Sequence, residues 1–217
     1  MSRVHFADAE PSERHLLHWL DTVEQQRYRR FLVDRAREEF LAGRLLLRRV
    51  LAGELACAPA AVPIRVDDDG KPRVAGHERL CFNLSHSDRR VLLALDDQPI
   101  GCDLQRIDPG VESDRLAQRW LQPEEAATVR AITDPAYRRR IFFQAWTMKE
   151  AVVKATGAGF AQQAGSFVVD PLASGPQLIR WRAEAWLSAA YRIHPLMVGA
   201  DFVASVVAAS AVEVCSQ

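Results

Sequence analysis

From Val23 to Leu55 apolar residues recur at helical spacing, arginines take many of the remaining positions, and the pattern stops short of Pro59, which predicts one or two helices. Short β-type runs follow in quick succession: VPIRV at 62–66, RLCFNL at 79–84, VLLAL at 91–95 and PIGCDL at 99–104. The turn signals DDDGKP, SHSDRR and DDQ separate them, so they read as an antiparallel group of strands. After Asp108-Pro109-Gly110 the order begins again, with helical patterns over 113–120 and 123–132 and a long helix from about Pro135 to Thr156. Strand-like SFVVD, QLIRW, AYRIH and FVASVVA close the chain. Helices then strands, twice over, predicts an α+β fold of two similar halves, residues 1–106 and 107–217, with a cleft between them.

The long helix carries a candidate for chemistry. At about 100° per residue, Ile141, Ala145, Met148, Val152 and Ala155 fall on one face, the expected core stripe. Glu150 and Lys154 lie opposite, beside Phe143, Trp146 and Val153, which a solvated face would not normally carry. Two readings stand. One is an i,i+4 surface pair adding about 0.2–0.5 kcal/mol. The other is a carboxylate and an ammonium in a half-apolar cleft, where fields are stronger and a proton can be moved.

The second reading needs partners, and IGCDLQ at 100–105 offers them. Strand alternation puts Gly101, Asp103 and Gln105 on one face. Two oxygen donors two residues apart on a strand, with a carboxylate from a facing helix, suit a hard ion such as Mg²⁺ that also takes phosphate oxygens. Taken alone, Asp103 reads as the end of an exposed strand. FNLSHS at 82–87 gathers Asn, Ser, His and Ser at a strand end, without GxSxG or triad spacing, and reads as polar recognition rather than nucleophilic chemistry.

Other motifs carry less. ATGAG at 155–159 follows a helix where a dinucleotide-binding loop must follow a strand, so it reads as a C-cap and turn. Asp67, Asp68 and Asp69 lack EF-hand spacing, leaving DDDGKP as a turn that presents Lys71. Most arginines of QRYRRFLVDRAR belong on a solvated face, while one or two turned into a cleft would clamp a phosphate.

Composition narrows the function classes. Lysine plus arginine and aspartate plus glutamate each number 28 in 217 residues, so no global charge favours a nucleic acid or an anionic membrane. Cys57, Cys81, Cys102 and Cys215 form no CxxC pair or zinc-type cluster and read as reduced thiols of a cytoplasmic protein. The N-terminus has no apolar signal region, and the longest apolar run, Phe202 to Val212, is too short to span a bilayer.

In order, GKP at 70–72, FNLSHS at 82–87, IGCDLQ at 100–105 and WTMKEAVVKATGAG at 146–159 resemble the 4′-phosphopantetheinyl transferases of the surfactin-synthetase-activator type. The resemblance runs from the RRF…LAGRLLLRRVL helix to about residue 160. It implies a pseudo-dimer within one monomeric chain, with coenzyme A bound between the halves. It also implies Mg²⁺-dependent transfer of the phosphopantetheine arm to a serine of an apo acyl or peptidyl carrier protein, releasing adenosine 3′,5′-bisphosphate.

Position by position, the resemblance implies Asp103 and Glu150 as magnesium ligands, with Gln105 beside them, and Lys154 on the phosphates. Lys71, Ser85 and His86 match coenzyme A contacts, and Arg27 falls where the family places a basic residue near the nucleotide's phosphates. Residues after Gly157 would meet the carrier protein, with Arg138 to Arg140 helping to steer an acidic partner. Gln105 departs from the family, in which many relatives have a second acidic residue. The alternative function is therefore a coenzyme-A-binding, carrier-docking protein impaired in catalysis.

Overall fold

The computed structural model describes residues 1–67, 70–157, 164–182 and 185–215. The chain begins with a strand, β1 (Ser2–Asp8), followed by 3-10 turns over Pro11–Trp19. Sequence reasoning saw only charge in this stretch, yet Val4 and Phe6 alternate with polar neighbours, which is a short strand signal. Asp21 then caps α1 (Thr22–Arg30) in a reciprocal box with Glu24. Helix α2 (Asp34–Leu55) follows, so the arginine-rich apolar pattern is two helices.

Strands β2 (Ile64–Val66) and β3 (Pro72–Val74) form a hairpin that includes Gly70 at φ 79°; Asp68 and Asp69 of this turn lie outside the described residues. A second hairpin joins β4 (Cys81–Ser87) to β5 (Arg90–Asp96), and β6 (Gly101–Arg106) comes next. Three helices follow: α3 (Ser113–Trp120), α4 (Pro123–Ala131) and α5 (Pro135–Thr156). The Asp134 carboxylate accepts the Tyr137 N–H at 2.6 Å to start α5, and Gly157 at φ 77° ends it, its N–H bonding Val153 O at 3.0 Å. The glycine thus acts as the expected C-cap; residues 158–163, expected to meet a carrier, lie outside the described residues.

Short strands β7 (Phe167–Val168), β8 (Gln177–Leu178) and β9 (Arg180–Trp181) precede β10 (Arg192–Leu196), β11 (Phe202–Ala208) and β12 (Val212–Val214). Two four-stranded sheets result, ordered β12-β1-β5-β4 and β6-β11-β10-β8. Strand β12 runs parallel to β1, so the chain returns to the first sheet at its end. The sequence pattern grouped PIGCDL with the strands before it, but β6 pairs antiparallel with β11 in the second sheet.

The other edge of β6 lies along β4 and is closed by side chains in place of a backbone ladder. Asn83 Oδ1, Ser85 Oγ and Ser87 Oγ accept the N–H groups of Cys102, Leu104 and Arg106 at 2.9, 3.2 and 3.0 Å. Alternate residues of FNLSHS therefore satisfy alternate amides of IGCDLQR, as buried backbone donors require.

Leu46, Leu47 and Leu51 of α2 cover the first sheet over Phe82, Val91, Leu93 and Leu95. Val4, Leu92 and Ala94 meet Cys102, Leu104 and Val206 in a separate cluster shared by the two sheets. Helix α5 covers the second sheet, with Ala145 and Val152 among Ile193, Val203 and Val207. Strand β5 is thus buried on both faces, which explains why VLLAL is apolar without alternation.

Two contacts fix α5. A Cβ added at Gly101 would lie 2.1 Å from Ala151 O and 2.4 Å from Ala155 N, so only a bare backbone lets β6 lie this close to the helix. Lys149, fully buried, donates to Glu125 Oε1 at 3.0 Å, Ala164 O at 2.8 Å and Phe167 O at 3.1 Å. Glu125 also accepts the N–H groups of Gln122 and Val169, tying α4, α5 and β7 together.

Gly101→Ala should destabilise the fold by at least about 1–3 kcal/mol through overpacking against helix backbone. Gly43→Ala, whose Cβ meets side chains alone, the movable Leu84 at 3.2 Å and Val91 at 3.9 Å, should change stability by less than about 1 kcal/mol. Equal urea midpoints for the two variants would remove the close approach as a constraint. Lys149→Met should cost about 3–5 kcal/mol by leaving Glu125 charged and buried without its partner, read in the same titration.

Candidate active site

The register of β6 places Asp103 two residues beyond Gly101 on the face turned to α5, where Glu150 and Lys154 project from successive turns. Lys154 Nζ reaches Asp103 Oδ1 at 2.7 Å. The surface pair between Glu150 and Lys154 therefore does not form; the ammonium crosses to the strand. Ser85 Oγ donates to Asp103 Oδ1 at 2.8 Å and accepts from Leu104 N–H and, at 3.3 Å, from Lys154 Nζ. Those three bonds fill the serine hydroxyl, which has one donor and two acceptor positions. Gln105 Nε2 donates to the second Asp103 oxygen at 3.3 Å.

Asp103 is buried, Lys154 mostly so, and Glu150 partly. Glu150 accepts no hydrogen bond from the described residues. Burial, then the charge of Asp103, raise its pKa above the ordinary carboxylate value, with Lys154 opposing. Burial alone would lower the pKa of Lys154, but Asp103 overcomes it and the net shift is upward, so the lysine stays charged. Of its three N–H groups, the bonds to Asp103 and Ser85 use two. Lys149, one residue before Glu150, is saturated and structural, whereas Lys154 keeps a donor for a ligand.

A cavity of about 200 Å³ opens beside this cluster, lined by Arg27, Phe40, Gly43, Arg44, Lys71 and His86, among others. Lys71 Nζ also bonds Lys154 O, linking the cavity wall to the end of α5. A second cavity, about 270 Å³, lies on the far side of Lys71 and Pro72 and is floored by Val74, Leu80, Phe82 and Ile100. Arg27 and Arg44 each stand over the Phe40 ring, 5.3 and 5.4 Å from its centroid.

Sequence reasoning missed Arg44 and Glu39. Arg44 is largely buried; that burial lowers its pKa, Glu24 opposes this, and Arg27 and Arg48 add to it. Arg44 and Arg27 bring positive charge to this wall of the cavity, with Arg44 also paired to Glu24 at 3.5 Å. The signal was Arg44 standing among the leucines of AGRLLLRR. Glu39 is the cavity's carboxylate, and its oxygens are engaged by Arg35, the Arg89 N–H and His86. The structure thus brings Asp103, Lys154, Ser85 and Gln105 into direct contact, sets Glu150 within electrostatic reach, and places Arg27, Lys71 and His86 around the adjoining cavity. Such an arrangement can hold a polyanion against a partly buried acidic pair.

Residues 99–207, from just before β6 through β11, match the model of the 4′-phosphopantetheinyl transferase superfamily, and residues 9–98 match that of the 4′-phosphopantetheinyl transferase N-terminal region. The chain is 37% identical over 147 residues to the 4′-phosphopantetheinyl transferase HetI of Nostoc sp., covering 66% of this chain and 62% of the relative. It is 31% identical over 145 residues to a 4′-phosphopantetheinyl transferase of Bacillus subtilis, covering 67% and 63%. Against the Bacillus subtilis transferase Sfp the identity is 29% over 160 residues, covering 74% and 70%. The chain spans a little over three fifths of the length of the first two relatives. With the superfamily match running from the strand that carries Asp103 past the helix that carries Glu150 and Lys154, the chain belongs to the 4′-phosphopantetheinyl transferase superfamily.

Proposed function

We propose that this protein transfers the 4′-phosphopantetheine arm of coenzyme A to a serine hydroxyl of an apo acyl or peptidyl carrier protein. The observation that carries the reading is the Asp103–Lys154 contact near Glu150, joined through the Lys71–Lys154 hydrogen bond to a cavity lined with cations. Coenzyme A offers three phosphates, and Arg27, Arg44 and Lys71 supply positive partners along one wall, with His86 beside them. Residues 1–106 would provide that wall and residues 107–217 the helix α5. One chain would then hold both halves of the site and act as a monomer.

The residues fit a bound Mg²⁺. Two carboxylates share the site, the charge of one raises the pKa of the other, and a divalent cation would relieve that repulsion. No group of three or more His, Cys, Asp or Glu side chains suited to a metal occurs among the described residues. Mg²⁺ is commonly held by one or two carboxylates together with phosphate and water. Asp103 and Glu150 would hold it, with Gln105 as an amide or water-mediated ligand, and it would supply charge neutralisation on the pyrophosphate.

In the transfer, the serine oxygen forms a bond to the β-phosphorus, and the bond from that phosphorus to the bridging oxygen breaks. Adenosine 3′,5′-bisphosphate leaves with the bond's electrons. Lys154 directs its remaining donor to the phosphate oxygens on which charge builds. Glu150, the carboxylate one turn before Lys154 on α5, takes the serine proton. No nucleophile of the chain's own is required. No described helix is long and apolar enough to cross a membrane, and a cytoplasmic site of action is part of the proposal.

Incubation with coenzyme A, Mg²⁺ and a panel of apo carrier proteins should give carriers heavier by one phosphopantetheine arm. Coenzyme A binding without mass gain on any carrier would favour a docking protein impaired in catalysis. Asp103→Ala and Glu150→Ala should each reduce kcat by at least about 100-fold with the thermal transition retained. Gln105→Glu should transfer equally well or better at limiting Mg²⁺; a weaker apparent Mg²⁺ affinity would overturn the assignment of residue 105 to the metal site.

A further inference from the structure

Glu39 and His86 form a dyad on the cavity wall. His86 Nδ1 lies 3.0 Å from Glu39 Oε2, and the other imidazole nitrogen has no partner among the described residues. Burial alone would raise the pKa of Glu39, but the Arg89 N–H, Arg35 and His86 together hold it below its ordinary value. Glu39 is therefore an ionised acceptor, and an ionised carboxylate cannot donate. The proton on Nδ1 is fixed, and in the neutral ring the bare lone pair of Nε2 is left for the cavity.

The frame around the dyad is built to hold that orientation. Asp88 and Arg89, both at positive φ in the β4–β5 turn, are clamped to α2: Asp88 by Arg35 at 2.6 Å, Arg89 by Glu38. Arg106 of β6 also pairs with Asp88, at 2.8 Å. Non-glycine residues are strained there, and the ion pairs offset the strain. Across the cavity the charged groups are Arg27, Arg44 and Lys71, all cationic.

An ionised phosphate oxygen cannot approach a bare Nε2 lone pair favourably, whereas the imidazolium offers an N–H. Resting on the reading that coenzyme A occupies this cavity, we propose that Glu39 is a positioning residue that makes phosphate binding at His86 conditional on proton uptake. The sign follows directly. Affinity falls as pH rises, by up to about tenfold per pH unit, because the neutral ring held by Glu39 leaves the phosphate no N–H. Removing Glu39 frees the neutral ring to adopt the Nε2–H tautomer, which donates to phosphate without an added proton.

The test is calorimetric titration of the full chain with coenzyme A between about pH 5 and 8, in buffers of different ionisation enthalpy, for the wild type, Glu39→Ala and Glu39→Gln. The ligand's own phosphomonoester titrates in this range equally in every protein, so the ratio of wild-type to variant affinity isolates the dyad. That ratio should fall with rising pH, and the wild type should take up more protons on binding than either variant. A second arm with 3′-dephospho-coenzyme A assigns the contact: loss of the extra uptake places the terminal phosphate on His86, and persistence places the pyrophosphate there. A ratio flat in pH, with equal proton uptake in wild type and variants, overturns the proposal. If a variant fails to fold, wild-type proton uptake compared with His86→Asn decides in the same way. Absence of coenzyme A binding at every pH would overturn the transferase reading along with the dyad. Binding with a pH-flat ratio and normal carrier modification would overturn the dyad alone.

Discussion

The site depends on one steric allowance, the bare α-carbon of Gly101 against the backbone of α5. Because a Cβ there would penetrate Ala151 O and Ala155 N, the strand and helix lie closer than side chains permit. At that separation Asp103 is within hydrogen-bond reach of a lysine on the helix. The strand edge is then held from the opposite side by Asn83, Ser85 and Ser87, whose oxygens stand in for a neighbouring backbone. Ser85 links the two tasks, since it accepts the Leu104 amide and donates to the Asp103 carboxylate. Packing of helix, strand and sheet edge thus sets the position of one carboxylate.

Helix α5 carries two buried lysines with opposite uses, and the difference is one of saturation. The three donors of Lys149 meet three acceptors, on Glu125, Ala164 and Phe167, and its partner Glu125 in turn caps α4 and accepts the Val169 N–H. Such a closed network costs desolvation and returns rigidity. Lys154 makes two such bonds and keeps one donor, and its backbone oxygen is bonded by Lys71 of the cation-lined cavity wall. The saturated lysine holds the helix still, and the unsaturated one is where a ligand's charge is felt.

Much of this arrangement was legible in the sequence where a single period dominates. The limits of α5 were readable from Pro135 and Gly157, and the β4 and β5 runs from short apolar stretches set off by the turn signals DDDGKP, SHSDRR and DDQ. The pairing of β6 was not, because IGCDLQ carries no mark of which sheet it joins; that is decided by the long-range register with β11. FNLSHS showed its polarity but not its purpose, since a serine facing a ligand and a serine closing a strand edge look alike along the chain. Glu39 and Arg44 were hidden among arginines and leucines of α2, whose helical face toward the cavity is defined only once β4 is in place.

Gln105 shows how the charge balance of the site works. Its amide donates to Asp103 Oδ2, so it steadies the carboxylate that Lys154 and Ser85 hold by the other oxygen. A third carboxylate at this position would withdraw that hydrogen bond and add repulsion to Glu150, whose pKa is already raised by burial and by Asp103. With only Lys154 as nearby compensation, the unliganded site would then hold its protons more tightly. The neutral amide therefore trades a ligand charge for orientation and for a Glu150 that is easier to ionise. The acidic pair stays usable before any cation or phosphate arrives, and the positive wall formed by Arg27, Arg44 and Lys71 is left to draw the anion in.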